Sequence, residues 1–390
     1  MTAVTSERPL RMGLIGGGGA GFIGRVHVTA ATLDREAELV AGALSSDPLR
    51  SRTAATEFRI DPSRAYGSFS ELLESESRLP ESERIDFVSI ATPNHTHAEI
   101  ACSALDAGFH VVCDKPMTTN ERDAQAMVDA VARSGKVFAL THNYSGYPMI
   151  RQAREIVASG ELGRILGVRV SYVQGWMHGV KRDETPARGA WKSNPELNGR
   201  AGSLGDVGTH AFHLLRFVTA SQPQALLSRM SSYSPHHELD DYGHAILQLD
   251  QAATGLVTWS QVSHGRLNDL TIEVDGTKAS LAWRQEDPNQ LIVRSLGTPT
   301  RVYDRNPGAA YTTATAAAAC RLPGGHPEAF FEAFANVYRD AFRAMRQVSG
   351  ELAVDPSPSL YPTVHDGLEG VRFMQRCLES NDNDSSWCAW

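Results

Sequence analysis

Five short apolar runs punctuate the first third of the chain: Met12–Ile15, Leu39–Leu44, Phe87–Thr92, Val111–Cys113 and Val137–Thr141. They are apolar at consecutive rather than alternate positions, as strands buried on both faces are. Between them lie helical patterns at Phe22–Leu33, Ala98–Ala107, Thr119–Ser134 (with Thr119 as N-cap) and Pro148–Ser159, and Asp47-Pro48 reads as one more helix start. Strands separated by helices predict βαβ units and a parallel sheet.

The rhythm changes after Gly160. Ile165–Val173, Ala225–Ser232, His244–Leu249, Gly255–Gln261, Leu270–Val274, Ala279–Trp283 and Leu291–Arg294 read as strands, many joined by short turns such as Asp275-Gly276. That order predicts an antiparallel-rich α+β region. One helix, Asp206–Val218, interrupts it, and helices at Pro327–Ser349 and His365–Glu379 close the chain. Asn306–Pro323, rich in Ala, Thr and Gly, reads as loop, with an alanine-rich helix as the alternative. The last ten residues read as frayed, and Trp387 and Trp390 have no evident place. The expected division is an α/β domain over 1–145 and an α+β substrate and oligomerisation domain over 146–390. The helices of about 327–379 are expected to pack back on the first domain.

At 390 residues, two domains are expected, large enough to bury a core without disulfides. Lys and Arg number 37 against 45 Asp and Glu, a net charge of −8, which argues against nucleic acid as a partner. No apolar run approaches the roughly 18 residues of a membrane helix, and Met1–Arg11 has no secretory pattern. Five scattered cysteines without a CxxC fit a reducing cytoplasm.

Candidate chemistry begins after the first strand. Gly16-Gly17-Gly18-Gly19-Ala20-Gly21-Phe22-Ile23-Gly24 fits GxGxxG in two registers, Gly16/Gly18/Gly21 and Gly19/Gly21/Gly24. Glycine serves the tight turn off the strand, the approach of backbone to a pyrophosphate, and close helix–sheet packing. The helix that follows offers free N–H groups to phosphates. The acid expected at the end of the second strand, for the ribose of NAD, is replaced by Leu44-Ser45-Ser46-Asp47-Pro48. Asp47 favours NAD, whereas Ser46 with Arg50 would suit the 2′-phosphate of NADP; Asp47 as a helix cap is equally natural.

Asp114-Lys115-Pro116 ends the fourth strand, on the side where open α/β sheets bind ligands. A lysine there can stabilise a developing alkoxide, or simply snorkel at a strand end. Asp206 and His210, four apart on the later helix, share a face. Such a histidine can take a hydroxyl proton near neutral pH with the carboxylate as its partner. The structural alternatives are a helix cap and a satisfied buried histidine.

Together these features resemble the Gfo/Idh/MocA oxidoreductases. The matching elements are the Gly16–Gly24 loop, Ala91-Thr92-Pro93-Asn94-His95-Thr96-His97, Asp114-Lys115-Pro116 (EKP in most members), Asn143-Tyr144, and Gly205-Asp206-Val207-Gly208-Thr209-His210. Gly325-His326-Pro327-Glu328 looks like a sugar-oxidising branch. The resemblance implies an N-terminal Rossmann domain and a C-terminal open sheet whose free face is commonly buried in a dimer or tetramer. It also implies a triad of Lys115, Asp206 and His210. The glycine loop, Ser45 to Arg50, Ala91 to Asn94, His97, Asp114, Lys115 and Asn143 are expected to line the cofactor. His95 and His97 lack a third ligand at a useful spacing, so they read as loop histidines and no metal is expected.

Substrate contacts are expected from Tyr144, His326 and the Trp176–Arg200 segment. That segment holds Trp176, His178, Arg188, Trp191 and Lys192, and its cations exceed its acids. Arginine forks suit an anionic sugar and tryptophan faces suit its ring; an ordinary solvated loop is the alternative. The activity expected is NAD(P)-dependent oxidation of a ring hydroxyl of a sugar or cyclitol. The alternatives are an NAD-dependent glycosidase working by transient oxidation, and a non-catalytic cofactor-binding sensor.

Overall fold

A computed structural model describes residues 8–19, 22–177, 194–234, 238–357 and 359–390. The chain forms two compact units: Met1–Thr118 with Arg122–Thr141 and Phe334–Leu368, and Thr119–Glu121 with His142–Ala333 and Glu369–Trp390.

The first unit is built on β1 (Leu10–Gly16), β2 (Ala37–Ala43), β3 (Phe87–Ala91), β4 (His110–Cys113) and β5 (Phe138–Leu140), in the order β2-β1-β3-β4-β5. All pairings are parallel, with Gly16 opposite Ala91 and Ile90 opposite Cys113. The carboxyl ends of β1, β3 and β4 therefore lie side by side, and their loops emerge together. The strands alternate with α1 (Phe22–Thr32), α2 (Pro48–Glu57), α3 (Phe69–Ser77), α4 (His97–Asp106) and α5 (Glu121–Ser134).

Local chemistry explains several boundaries. Asp47 caps α2, its carboxylate accepting the Arg50 N–H at 2.7 Å, and Pro48 occupies the first turn. Ser68 caps α3, a helix the apolar pattern did not disclose. The expected cap Thr119 stands two residues before α5 begins. On α10 (Phe330–Val348), Phe334, Tyr338 and Phe342 recur every four residues and form a buried stripe. Phe342 packs against Phe87 of β3, and Phe334 against His27 of α1.

The second unit is a nine-stranded sheet: β6 (Ile165–Val173), β7 (Pro223–Ser231), β8 (Tyr242–Leu249), β9 (Thr254–Ser260), β10 (Asp269–Gly276), β11 (Ala279–Arg284), β12 (Gln290–Ser295), β13 (Arg301–Asp304) and β14 (Cys388–Ala389). Their order is β13-β12-β11-β10-β6-β9-β8-β7-β14, antiparallel except for the parallel pair β6–β9. Burial alternates along β8, with Ala245, Leu247 and Leu249 inward and His244, Ile246 and Gln248 outward. One face of the sheet is thus core and the other is open. The helices are α6 (Pro148–Ala158), α7 (Pro195–Asn198), α8 (Thr209–Thr219), α9 (Ala314–Ala318) and α11 (Val364–Asp382), with α8 lying along β6 and β9.

Three readings are corrected. The last residues are not frayed: Cys388–Ala389 pair with β7, and Trp390 packs on Phe212 of α8 and donates its indole N–H to Glu369 at 3.1 Å. The segment read as loop over Asn306–Pro323 contains α9, capped by Thr313. The helix expected over Asp206–Val218 opens as a π-helical turn, Leu204–Gly208, before α8.

Candidate active site

In the first unit the glycine loop leaves β1 with positive φ at Gly16 (80°), Gly17 (72°) and Gly19 (70°). Gly24 on α1 lies against Gly17: a Cβ at Gly24 would sit 2.6 Å from the Gly17 Cα. A Cβ at Gly18 would sit 2.6 Å from the Leu44 carbonyl oxygen, which accepts the Gly18 N–H at 3.1 Å. Gly19 is exposed, with open space where its Cβ would be. Gly16 and Gly18 of one GxGxxG register and Gly24 of the other therefore all lack room for a side chain; Gly21 lies outside the described residues. Phe22 is exposed and Ile23 half-buried in the first turn of α1.

This cradle fits a dinucleotide. Side chains are excluded where the loop meets the sheet and are absent where the backbone faces outward, as close approach of a pyrophosphate requires. In the second unit, Asn143, three residues after β5, is buried and its Nδ2 has no hydrogen-bond partner.

The acid question after β2 has a local answer. Asp47 is engaged as the α2 cap, with the Arg50 Nε 3.9 Å from its Oδ1 and both side chains well exposed. Ser45 Oγ accepts the Asp47 N–H at 3.2 Å, and Ser46 is exposed.

After β3, Ala91 is buried, Thr92 and Pro93 are half-buried, and Asn94 is buried at the start of a 3-10 turn. His97 is not a loop histidine. It opens α4, is fully buried, and sets Nδ1 3.0 Å from the Pro116 carbonyl and Nε2 2.9 Å from that of Thr92. It ties the end of β3 to the turn after β4, and burial holds its pKa below the usual value. Asp114 Oδ1 accepts from Thr141 Oγ1 at 2.9 Å and lies 3.9 Å from His27 Nε2. Burial pushes the Asp114 pKa up, but His27, Lys115 and His97 together outweigh it and hold the carboxyl well below its usual range. Lys115 is half-buried, and the Lys115–Pro116 bond is cis.

Behind Asp114 is a chain that sequence reasoning missed: His27 Nδ1 is 2.6 Å from the Tyr338 hydroxyl, itself 2.7 Å from Ser89 Oγ.

The second unit holds Asp206, His210 and Tyr144. Asp206 lies in the π-helical turn, where Thr209 N–H reaches back to the Leu204 carbonyl, so α-helical i,i+4 geometry does not describe its relation to His210. Gln261 Nε2 donates to Asp206 Oδ2 at 2.7 Å. His210, buried on the first turn of α8, has Nδ1 3.2 Å from Nδ1 of His142, a residue the sequence reading did not single out. His142 stacks flat on His213, centroids 4.5 Å apart at 10°. His210 meets the Tyr144 ring edge-on at 4.9 Å and that of Tyr172 at 6.0 Å.

From there a polar network runs outward. The Tyr144 and Tyr172 hydroxyls are 2.6 Å apart, and Tyr172 donates to Asn268 Oδ1 at 2.8 Å. Gln174 Nε2 donates to the same oxygen at 2.6 Å, and its Oε1 accepts the Trp176 indole N–H at 3.0 Å. Burial raises the pKa of both phenols, so they stay protonated donors. Trp176 is 44% exposed. His326 is exposed in a turn whose carbonyl accepts from Arg305, which also pairs with buried Glu328 at 3.0 Å. His178, Arg188, Trp191 and Lys192 lie outside the described residues.

Comparison with known proteins agrees with this geometry. Residues 10–142 match the model of the oxidoreductase family with an NAD-binding Rossmann fold, and residues 150–282 match the GFO/IDH/MocA C-terminal domain. An inositol dehydrogenase homolog from Azotobacter vinelandii, solved with NAD+, is 34% identical and covers 100% of this chain and of its own, with a TM-score of 0.93. A complex described as that homolog with NADH and myo-inositol covers 98% of each chain at 34% identity, with a TM-score of 0.88. The oxidoreductase YfiI of Bacillus subtilis strain 168 is 29% identical over 98% of this chain and 97% of its own. Levoglucosan dehydrogenase of Pseudarthrobacter phenanthrenivorans is 29% identical over 73% of this chain and 76% of its own. The chain belongs to the GFO/IDH/MocA family of oxidoreductases, with an NAD-binding Rossmann domain followed by that family's C-terminal domain.

Proposed function

We propose that the chain oxidises a ring hydroxyl of a sugar, sugar derivative or cyclitol, with NAD as cofactor. The observation that carries this reading is the composition of the second unit's cluster. A buried histidine stands at the head of a run of phenols and amides, Tyr144, Tyr172, Asn268, Gln174 and Gln261, that ends at the exposed face of Trp176. A polyhydroxylated ring asks for this mixture: neutral donors and acceptors for its hydroxyls and an aromatic face for its C–H side. Relatives solved with myo-inositol or named for levoglucosan support the substrate class.

The roles follow from chemistry. His210 takes the proton of the reacting hydroxyl. Asp206, oriented by Gln261, accepts a hydrogen bond from a substrate hydroxyl. Lys115 holds the reacting oxygen and stabilises its developing charge. Bound NAD supplies the hydride acceptor. The Gly16–Gly19 backbone would hold its pyrophosphate, Ser45, Ser46 and Asp47 its ribose side, and Thr92, Pro93, Asn94 and Asn143 its nicotinamide half. Arg188 and Lys192 favour an anionic sugar. The open sheet face, with Ile246 exposed, supports a homodimer or homotetramer, and five free cysteines support a cytoplasmic setting.

The test is a panel of cyclitols, free sugars, and neutral and anionic glycosides, with NADH and released aglycone read in the same wells. Stoichiometric NADH without bond cleavage, lost in His210→Ala while NADH still binds, is the expected result. Aglycone release that requires NAD yet leaves no net NADH would replace this reading with a redox-assisted glycosidase.

A further inference from the structure

We propose that His142 is the proton partner of His210, so that the two imidazoles act as one unit holding a single shared proton; this rests on His210 being the base. The geometry is direct. The two Nδ1 atoms face each other at 3.2 Å, within reach of an N–H···N bond. An imidazole nitrogen in such a bond is either donor or acceptor, so one of the two carries the hydrogen. For Nε2 of His210 to accept a proton, its Nδ1 must be the donor. Nδ1 of His142 is then the acceptor, and the hydrogen of His142 sits on its Nε2.

The proton balance closes without another reactant. The substrate O–H bond breaks and a bond forms at His210 Nε2, making that ring an imidazolium. Its Nδ1–H bond then breaks as a bond forms at His142 Nδ1. His210 returns to neutral, its hydrogen now on Nε2, and the positive charge rests on His142, one ring further from the substrate. The electron pair leaving the carbon follows the dehydrogenase step and is no part of this transfer.

The surroundings within the second unit suit one added proton and not two. His210 is faced by the Tyr144 and Tyr172 rings, whose phenols burial keeps protonated, and Asp206 precedes it in the π-helical turn. His142 is faced by His213, stacked at 4.5 Å; Phe217 lies behind His213 with centroids 5.8 Å apart, and the Arg154 guanidinium covers the Phe217 ring at 4.5 Å. A second imidazolium in that stack would be repelled by the first at close range in a low-dielectric setting. A neutral imidazole, unlike a carboxylate, can be buried beside the base without bringing a charge at rest.

The test uses the full chain with 15N-labelled histidine, before any substrate is known. The expected result is a through-hydrogen-bond coupling between the two Nδ1 nuclei, lost in His142→Asn, and titration of the pair as one coupled unit. Two rings titrating independently with no coupling would overturn the proposal. With any substrate that yields NADH, His142→Ala should lower kcat at least about tenfold with KM within twofold. His142→Asn offers Oδ1 in place of Nδ1 and should restore much of that loss, because it holds the tautomer. It cannot take the proton, so its acid limb should lie lower in pH than the wild type's, and its solvent-isotope proton inventory should change from curved to linear. An acid limb and inventory identical to wild type in His142→Asn, with His210→Ala inactive, overturns the shared proton alone. Turnover surviving in His210→Ala overturns the base reading and this proposal with it.

Discussion

Gly24→Ala puts the cofactor cradle to a quantitative test. A methyl group at Gly24 would sit 2.6 Å from the Gly17 Cα and 2.8 Å from the Gly17 carbonyl carbon. Ordinary carbon contacts lie at roughly 3.5–4.0 Å, so about 1 Å of movement is required. Both colliding atoms are backbone, and Gly17 is already at a φ of 72°, so no side chain can rotate away. The loop must shift, and with it the N–H groups of Gly18 and Gly19. Losing one charge-assisted hydrogen bond to a phosphate costs about 1.5–3 kcal/mol. At about 1.4 kcal/mol per factor of ten, the Kd for NADH should rise by about 10- to 150-fold. Overpacking should also lower stability by about 1–3 kcal/mol. Gly370→Ala is the control for the exchange itself: Gly370 lies inside α11, a Cβ there meets nothing within 4 Å, and the change should gain roughly 0.5–1 kcal/mol. NADH fluorescence titration measures the first effect and urea unfolding the second. A folded Gly24→Ala protein that binds NADH with wild-type affinity would refute the reasoning.

Two further outcomes follow from the two units. His110 is buried at the start of β4, and its Nδ1 accepts the Val137 N–H at 2.9 Å; burial first, then Lys136, bring its pKa to about 4. The unfolded chain protonates this residue near 6.5, so between these values the unfolded state binds more protons and stability rises with pH. This contribution is complete above pH ~6.5 and has fallen by about 3 kcal/mol near pH 4. His110→Asn should flatten that slope in urea midpoints taken from pH 4.5 to 7, and an unchanged slope would exclude His110 as its source. In the second unit, Trp390→Ala removes the contact with Phe212, two residues beyond His210, and should cost about 1–3 kcal/mol of stability. Urea unfolding indistinguishable from wild type would show that the tail does not brace α8.

What the sequence disclosed, and what it hid, divides along physical lines. The buried strands of the first unit were legible because burial on both faces leaves continuous apolar runs. Ile165–Val173 was readable to the residue, because its length and β-branched content leave one assignment. β13 and β14 were not: Arg301–Asp304 is a short polar edge strand, and Cys388–Ala389 exists only through pairing with β7. A strand defined by its neighbour carries no pattern of its own. The Asp206 helix was legible as a helix but not as a π turn, because the wider turn follows from how the segment packs rather than from propensity.

The candidate site divides in the same way. Residues brought out by a motif, such as Lys115 after β4 or His210 on its helix, were found because their neighbours in sequence carry the signal. Residues whose partner is distant were not. His27 and Tyr338 meet across 311 positions, and His142 and His210 across 68. His27 and His142, which no motif flags, carry no signal of their own in the sequence. The same separation is what gives the pairs their chemical character. His210 on α8 meets groups that other elements carry to it, and the chain after β5 brings His142 to its Nδ1. The sequence reading gave His210 a carboxylate partner from its own helix, the nearest acid available to local reasoning. The fold also sets a second imidazole near it, with the two Nδ1 atoms 3.2 Å apart. Under the shared-proton proposal, the expected pH behaviour of the site is that of a coupled pair rather than of a single titrating base.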